Sequence, residues 1–235
     1  VMDYYFIKSK KWKYLEDKLA PFLMNPEKPL VIWISGPACM GKSSLAIELC
    51  HILGIRNYIS TDLLRIVLAE NIDKPNIFNY LSHECWQLLG DYSEYNLIKG
   101  FKMQSLEICS KLESLYQDII KHRKNTIIEG VHLFPEAFRQ YNAQYPDLQM
   151  IFICLTSDFD FFSKDLLKNR TVSTYRHRAY SQYSEDRINK FRLFFEMWNT
   201  ELFKANIEPI INTASQEKLI EKVLQRILDE LTASV

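Results

Sequence analysis

The sequence predicts an α/β domain in which a five-stranded parallel sheet is sandwiched by helices. Short apolar runs alternate along the chain with segments of helical spacing, a pattern typical of a parallel sheet covered on both faces. A glycine-containing loop at residues 36–43 joins the first apolar run to a helical segment. The chain has 235 residues, of which 47% are hydrophobic, and this is enough for one such domain with a sizeable core.

The predicted elements follow a regular order. We expect residues 1–28 to form an N-terminal helical extension. Its helix is predicted over residues 3–23 and is expected to be ended by Pro21 together with the Asn25-Pro26 turn. Residues 29–235 are expected to form a single domain. Its five predicted strands cover residues 29–35, 57–60, 126–130, 148–156 and 207–211.

Helical periodicity accounts for most of the sequence between these strands. One helix is predicted to start near Lys42 and to stop at Gly54, and another begins near Asp62 with Ser60 or Thr61 as its cap. Residues 75–123 are expected to be mostly helical and to supply extra helices after the second strand. The final helix has an apolar side made of Ile220, Val223, Leu224, Ile227, Leu228 and Leu231.

Net charge, cysteine spacing and the lengths of apolar stretches limit the kinds of partner and the cellular location that the sequence favours. Lys and Arg together number 29, as do Asp and Glu, so the chain offers no general attraction to nucleic acid or anionic membranes. The five cysteines contain no CxxC pair, which favours reduced thiols over zinc or disulfides. No apolar stretch approaches the ~20 residues needed to span a bilayer, and the N-terminal segment lacks a signal-peptide core. We therefore expect a cytoplasmic protein without a membrane partner.

The loop after the first strand has the spacing of a phosphate-binding P-loop. Its backbone N–H groups are expected to curl around phosphate oxygens, Lys42 to place a charge at the β- and γ-phosphates, and the Ser43 hydroxyl to ligate Mg²⁺. The alternative is a chance glycine turn. The predicted nucleotide-binding residues are Gly36, Pro37, Ala38, Cys39, Met40, Gly41, Lys42, Ser43 and Ser44.

Two carboxylates stand at the ends of predicted strands, where such folds gather their ligands. Asp62 is the candidate general base or metal-positioning residue, and the alternative is simple capping of the following helix. Glu129 is the candidate for a Walker-B-like role in the water shell of the metal. The alternative for Glu129 is an exposed strand terminus.

Two further side chains lie near these carboxylates in the sequence. Arg65 is one helical turn beyond Asp62 and is a candidate ligand for an anionic group of the acceptor, although a solvated arginine fits nearly as well. His132 follows Glu129 by three residues. Taken alone, it reads as a neutral, hydrogen-bonding core histidine.

A basic cluster extends from Lys164 to Arg192, with tyrosines between the cations. We rank a mobile lid first, because phosphoryl transfer needs water excluded and arginines brought to the reacting phosphate. A solvated helix face ranks second and a nucleic-acid patch third. The apolar stripe from Ile188 to Leu202 is interpreted as core packing.

Three motifs together resemble the 2-phosphoglycerate kinase family of P-loop kinases. The first is the loop itself, Gly36 to Ser44. The second is Ile59-Ser60-Thr61-Asp62-Leu63-Leu64-Arg65, and the third is Ile127-Ile128-Glu129-Gly130-Val131-His132-Leu133-Phe134-Pro135. The second and third motifs discriminate far better than the first, and the similarity extends thinly over residues 30–230.

The resemblance implies ATP- and Mg²⁺-dependent phosphorylation of a hydroxyl on a small anionic acceptor, which in the family is 2-phosphoglycerate. It places Lys42 and Ser43 in the nucleotide site. The metal-binding residues predicted from the loop and the strand end are Ser43 and Glu129. By the same resemblance Asp62, Arg65, Glu129 and His132 lie on the acceptor side, and the lid arginines that align best are Arg170, Arg178 and Arg192. Lys42, Asp62, Arg170 and Arg178 are the predicted catalytic residues, and Arg192 is a predicted substrate ligand. The alternatives are a zeta-toxin-like nucleotide-sugar kinase, a polynucleotide kinase, or a non-catalytic nucleotide-binding switch.

Overall fold

The computed structural model describes residues 10–24, 28–70, 76–159, 185–212 and 215–233. Within these residues, no helix is both long and apolar enough to span a lipid bilayer. The five strands are β1 Leu30–Ser35, β2 Asn57–Ser60, β3 Thr126–Glu129, β4 Gln149–Thr156 and β5 Ile210–Ile211. They form one parallel sheet in the order β2-β3-β1-β4-β5, which confirms the predicted fold class.

Helices flank the sheet and fill most of the intervals between strands. Among the described residues, the α-helices are α1 Lys10–Met24, α2 Lys42–Leu53, α3 Thr61–Glu70, α4 Glu94–Ser110, α5 Glu113–His122, α6 Pro135–Gln144, α7 Glu185–Lys204 and α8 Gln216–Ala233. Two short 3₁₀ helices, Ile77–Asn79 and Ser82–Leu88, stand between α3 and α4. The extra helices expected after the second strand are therefore present.

The strand β1 is the centre of the sheet, and all six of its residues are buried. It pairs with β3 along one edge and with β4 along the other, and helices cover both of its faces. Its two faces enter different cores. Ile32 and Ile34 pack with α1, α2 and α8, whereas Val31 and Trp33 pack with α5 and α6.

Four strands lie within two residues of their predicted limits, but the last strand is shorter than expected. Pairing with β4 is confined to Ile210 and Ile211, not the whole predicted 207–211 segment. The backbone of Ile207 instead returns to Leu202 at the end of α7, and Asn206 adopts a left-handed φ of 50°. Pro209 has no N–H to contribute to a ladder, so pairing begins only after it.

One helical prediction was wrong, and a second was less detailed than the structure. Pro21 was expected to end the first helix, but it lies inside α1, which continues to Met24. The stretch over 75–123, expected to be mostly helical, is divided between α4 and α5, where the Leu112 N–H donates to the carbonyl of Cys109. Both departures are local changes of hydrogen bonding that apolar periodicity does not report.

Candidate active site

The loop between β1 and α2 is fixed by contacts with the ends of β4 and β5. Gly36 has a φ of 125°, and a Cβ there would lie 2.1 Å from the carbonyl oxygen of Leu155 in β4, so only glycine fits. The Asn212 side-chain amide, just after β5, donates to the Met40 carbonyl over 2.9 Å. Cys39 and Gly41 both take left-handed conformations. A backbone of this kind can direct successive N–H groups at an anion.

Lys42 is the first residue of α2 and is only 6% exposed. Its ammonium nitrogen donates to the Pro37 carbonyl over 2.6 Å, which brings the charge back across the loop. Burial lowers the pKa of Lys42, and the negative charges of Glu129 and Asp62 oppose that effect. The predicted phosphate-binding lysine therefore lies within electrostatic reach of both predicted carboxylates.

Glu129 ends β3 and is 4% exposed, which excludes the exposed-terminus alternative. Its Oε1 accepts a hydrogen bond from the Tyr58 hydroxyl at 3.0 Å. Burial, followed by the charge of Glu129, raises the pKa of Tyr58, while interactions with the Ser43 and Ser60 hydroxyls lower it. The phenol stays protonated and donates to the carboxylate proposed for the water shell of the metal.

Tyr58 was missed in the sequence. The only available signal was strand alternation, since Tyr58 and Ser60 are two residues apart in β2 and therefore point to the same face. Nothing in the sequence shows that this face adjoins Glu129, because the pairing of β2 with β3 is a long-range contact.

Asp62 is the second residue of α3 and is exposed. It lies in the first helical turn, not at the cap position, and a carboxylate there is favoured by the helix dipole. Its charge raises the pKa of both Lys42 and His132, so it lies near enough to the phosphate loop and to the segment after β3 to act on both electrostatically. A catalytic role for Asp62 stays a prediction.

Arg65 is only 8% exposed, so the alternative of a solvated arginine is wrong. One guanidinium nitrogen, Nη1, donates to the carbonyl of Phe78 over 2.6 Å. The Nε atom is buried and lacks a hydrogen-bond partner among the described residues. Arg65 thus holds the first 3₁₀ helix against α3, and its contact with an acceptor stays a prediction.

His132 is fully buried in a polar cluster, as in the neutral-core alternative. Its Nδ1 lies 2.8 Å from the Thr61 hydroxyl, and its Nε2 lies 3.1 Å from Gln104 Oε1 and 3.2 Å from the Ser82 hydroxyl. Burial lowers the pKa of His132 to about 4, so the ring is neutral. Direct contact with a substrate, implied by the resemblance, is not tested by this geometry.

The structure explains why the third motif has a glycine at position 130. Its φ is 151°, and a Cβ there would stand 1.7 Å from the Thr61 hydroxyl oxygen. The same residue donates its N–H to the carbonyl of Ile34 over 3.1 Å. The missing side chain gives Thr61 room to reach His132.

Of the predicted lid, Arg170 and Arg178 lie outside the described residues. Arg192 is exposed on α7, with its guanidinium 5.0 Å from the centroid of the Phe159 ring. The apolar stripe of α7 is confirmed as core: Phe191, Phe195, Trp198 and Leu202 are all buried. Trp198 stacks on Phe134 with ring centroids 4.7 Å apart.

Comparison with known proteins supports the resemblance based on the three motifs, although no family model matches the chain. The chain is 26% identical over 238 residues to the 2-phosphoglycerate kinase of Methanocaldococcus jannaschii, covering 99% of this chain and 74% of that protein. It is 28% identical over 206 residues to the 2-phosphoglycerate kinase of Pyrococcus furiosus and 25% identical over 213 residues to that of Methanopyrus kandleri. These two alignments cover 86% and 87% of this chain but only 65% and 62% of the relatives, so the chain spans less than two thirds of their length.

Solved structures of small-molecule kinases are also similar in outline. A gluconokinase from Sinorhizobium meliloti 1021 matches with a TM-score of 0.49 and 12% identity over 88% of this chain and 97% of that one. A shikimate kinase from Acinetobacter baumannii matches with a TM-score of 0.48 and 13% identity, over 88% and 96% of the two chains. The parallel strand order and the loop geometry described above define the P-loop kinase fold of this chain.

Proposed function

We propose that this chain is an ATP-dependent kinase that transfers the γ-phosphoryl group to a hydroxyl of a small anionic acceptor resembling 2-phosphoglycerate. The proposal depends on one observation above all. The buried Lys42 ammonium, at the end of a loop suited to phosphate, lies within the field of both Glu129 and Asp62. The names of the relatives supply the acceptor class.

The residues present fit a magnesium ion. Ser43 is exposed at the start of α2, and Tyr58 orients the carboxylate of Glu129. Mg²⁺ keeps several waters and is usually held by one or two protein oxygens together with phosphate oxygens. In the described part of the chain, no group of three or more His, Cys, Asp and Glu could hold a metal ion alone. When bound, the ion would neutralise charge on the β- and γ-phosphates.

The proposed reaction moves one phosphoryl group. A bond forms between the acceptor oxygen and the γ-phosphorus, the bond from that phosphorus to the bridging oxygen breaks, and ADP leaves. Asp62 orients the acceptor hydroxyl and takes its proton, while Lys42 stays against the phosphates. Most of the rate gain would come from positioning and electrostatics. We further propose Arg170 and Arg178 as catalytic residues that neutralise charge on the transferring phosphoryl group, and Arg192 as a substrate ligand.

We further propose a small-molecule partner, not nucleic acid, in keeping with equal numbers of acidic and basic residues. A cytoplasmic location accords with five cysteines that are all free thiols, three of them buried. In domain terms, we propose an N-terminal extension over residues 1–28 and one kinase domain over 29–235, with a lid near residues 164–192.

A screen of acceptors tests the proposed function. ADP formation from ATP and Mg²⁺ is measured with phosphorylated three-carbon acids, sugars and inositol-type polyols, using Lys42→Ala as the control. Acceptor-stimulated ADP formation, matched by a phosphorylated acceptor, is the expected result. Tight ATP binding without turnover on any acceptor would instead indicate a nucleotide-binding switch.

A further inference from the structure

A buried polar cluster lies directly behind the acceptor side of the site. It joins four parts of the chain: Thr61 at the start of α3, Ser82 in the second 3₁₀ helix, Gln104 in α4 and His132 after β3. Thr61, Gln104 and His132 are each 0% exposed. Buried polar groups without partners cost free energy, so a cluster of this kind requires every donor to face an acceptor.

The hydrogen bonds of Gln104 fix the orientation of its amide. Its nitrogen donates to the carbonyl of Ile77 over 2.7 Å and to that of Tyr80 over 2.9 Å. Since carbonyls only accept, the amide nitrogen must be on that side. Oε1 therefore faces His132 Nε2 at 3.1 Å.

The orientation of Gln104 then decides which ring nitrogen of His132 carries the proton. Gln104 Oε1 cannot donate, so Nε2 must carry the hydrogen. A neutral imidazole has a single N–H, which makes Nδ1 the acceptor for the Thr61 hydroxyl 2.8 Å away. The low pKa caused by burial accords with a neutral ring. The cluster thus runs in one direction, from Thr61 through His132 to Gln104.

Both ends of this series of hydrogen bonds lie next to parts of the proposed site. At one end, Thr61 directly precedes Asp62, the proposed base. At the other end, the backbone carbonyls of Ile77, Phe78 and Tyr80 are tied to Gln104 and Arg65. Residues 77–80 are thereby held against α3 and α4 by side chains from outside that segment, and the Ser82 hydroxyl of the second 3₁₀ helix lies 3.2 Å from His132 Nε2.

We propose that His132 is a positioning residue, held as the Nε2–H tautomer, which ties the 3₁₀ segment 77–88 to the Thr61–Asp62 corner and so sets the acceptor pocket without touching the acceptor. Its kinetic consequence rests on the proposed function, whereas the tautomer and the coupling between the two ends do not. This assignment replaces the direct substrate contact that the resemblance implies for His132.

Nitrogen-15 NMR of the full chain tests the tautomer without any turnover. The chain has five histidines, and the His132 signals are those that disappear in His132→Asn. We expect a protonated Nε2 and an unprotonated Nδ1 at neutral pH. A protonated Nδ1, or an imidazolium ring, would overturn the assignment.

Matched variants test the coupling. Thr61→Ser keeps the donor to Nδ1 and Thr61→Val removes it at nearly constant volume, while Gln104→Met removes the far end of the cluster. We expect Thr61→Val and Gln104→Met to raise the acceptor KM by on the order of tenfold or more, with ATP affinity unchanged. Thr61→Ser should behave like the wild type. The backbone amide signal of Asp62 should shift in Gln104→Met.

The outcomes distinguish a failure of the inference about His132 from a failure of the proposed function. If His132→Asn weakens acceptor binding while Thr61→Val and Gln104→Met do not, His132 contacts the acceptor itself and the inference is wrong. An unmoved Asp62 signal in Gln104→Met would also refute the coupling. If the wild type turns over no acceptor, the proposed function fails, and the tautomer and the Asp62 signal still decide the inference. Thermal unfolding and ATP titration identify any variant that has lost its fold.

Discussion

At the scale of single residues, the site is defined by side chains that are charged or polar and yet buried. Lys42 and Glu129 are 6% and 4% exposed, and both have their polar atoms engaged by neighbours. Such groups are held in fixed positions before a ligand arrives, which is what electrostatic catalysis requires. Asp62 differs because it is exposed, as a group that must meet an acceptor should be.

The proposed base can be tested by an isosteric change. We expect Asp62→Asn to lower kcat on the order of a hundredfold or more, because an amide cannot take the acceptor proton. The melting temperature should remain near that of the wild type, since Asp62 is exposed. Steady-state kinetics with saturating ATP provide the measurement, and near-normal turnover would remove Asp62 from the role.

The contact between Tyr58 and Glu129 leads to a prediction about the metal. Tyr58→Phe removes a hydrogen bond to a buried carboxylate, an interaction worth roughly 1.5 to 3 kcal/mol. We expect the Mg²⁺ concentration needed for half-maximal nucleotide binding to rise about tenfold. Tyr95→Phe, at a side chain that is 69% exposed, is the control and should leave it unchanged. An unaltered Mg²⁺ dependence in Tyr58→Phe would show that Glu129 needs no orienting partner.

His132 also predicts how stability depends on pH. Its pKa is about 4 in the folded chain, against an ordinary value of 6.5, because burial disfavours the charged ring and Arg65 and Lys42 add to that effect while Asp62 opposes it. The unfolded chain therefore binds the proton more readily. The stability due to the neutral ring is fully present above pH 6.5 and is lost as the pH falls towards 4, by about 3 kcal/mol.

Urea unfolding at several pH values measures this loss. We expect the stability of the wild type to fall more steeply than that of His132→Asn between pH 6.5 and 4, since asparagine does not titrate. Parallel profiles would mean that the ring is not held neutral in the folded chain.

At the scale of elements, the sequence predicted what depends on local pattern and missed what depends on distant contacts. The buried strands β1 and β4 were identifiable as apolar runs, and α2 by its periodicity and its terminal Gly54. The sequence predicts the two 3₁₀ helices only as part of the mostly helical stretch over residues 75–123. The first of them, with Tyr80 directly after it, is held by Gln104 and Arg65 through hydrogen bonds that span 27, 24 and 13 residues. No local pattern records such contacts.

The corner between β3 and α3 supplies a test at this scale. Gly130→Ala places a methyl group against the Thr61 hydroxyl in a backbone conformation that alanine resists. We expect a loss of about 2 to 4 kcal/mol in the free energy of unfolding. Gly54→Ala is the matched control, because its φ is also positive, at 64°, but nothing lies within 4 Å of the added carbon. A loss no larger than that of the control would contradict the close packing of Thr61 on Gly130.

At the scale of the whole molecule, the fold brings three strand ends to one edge of the sheet. The registers that pair Ile34 and Ser60 with Glu129 align β1, β2 and β3 at their carboxyl ends. The sequence predicted this edge and its carboxylates from the alternation of strands with helices, since the carboxyl ends of parallel strands lie at the same edge of the sheet. It could not predict Tyr58, Asn212 or the cluster around His132, because these contacts join residues that are far apart in the chain.

The most direct test of the account follows phosphorus atoms through the reaction. Phosphorus-31 NMR of the full chain with ATP, Mg²⁺ and 2-phosphoglycerate should show the γ-phosphate signal replaced by ADP and a bisphosphorylated three-carbon acid. The same mixture with Lys42→Ala should convert at least a hundredfold more slowly. ATP that stays bound and intact with this acceptor and every other small hydroxyl acid or sugar, or that yields only inorganic phosphate, would contradict the assignment of this chain as a small-molecule kinase.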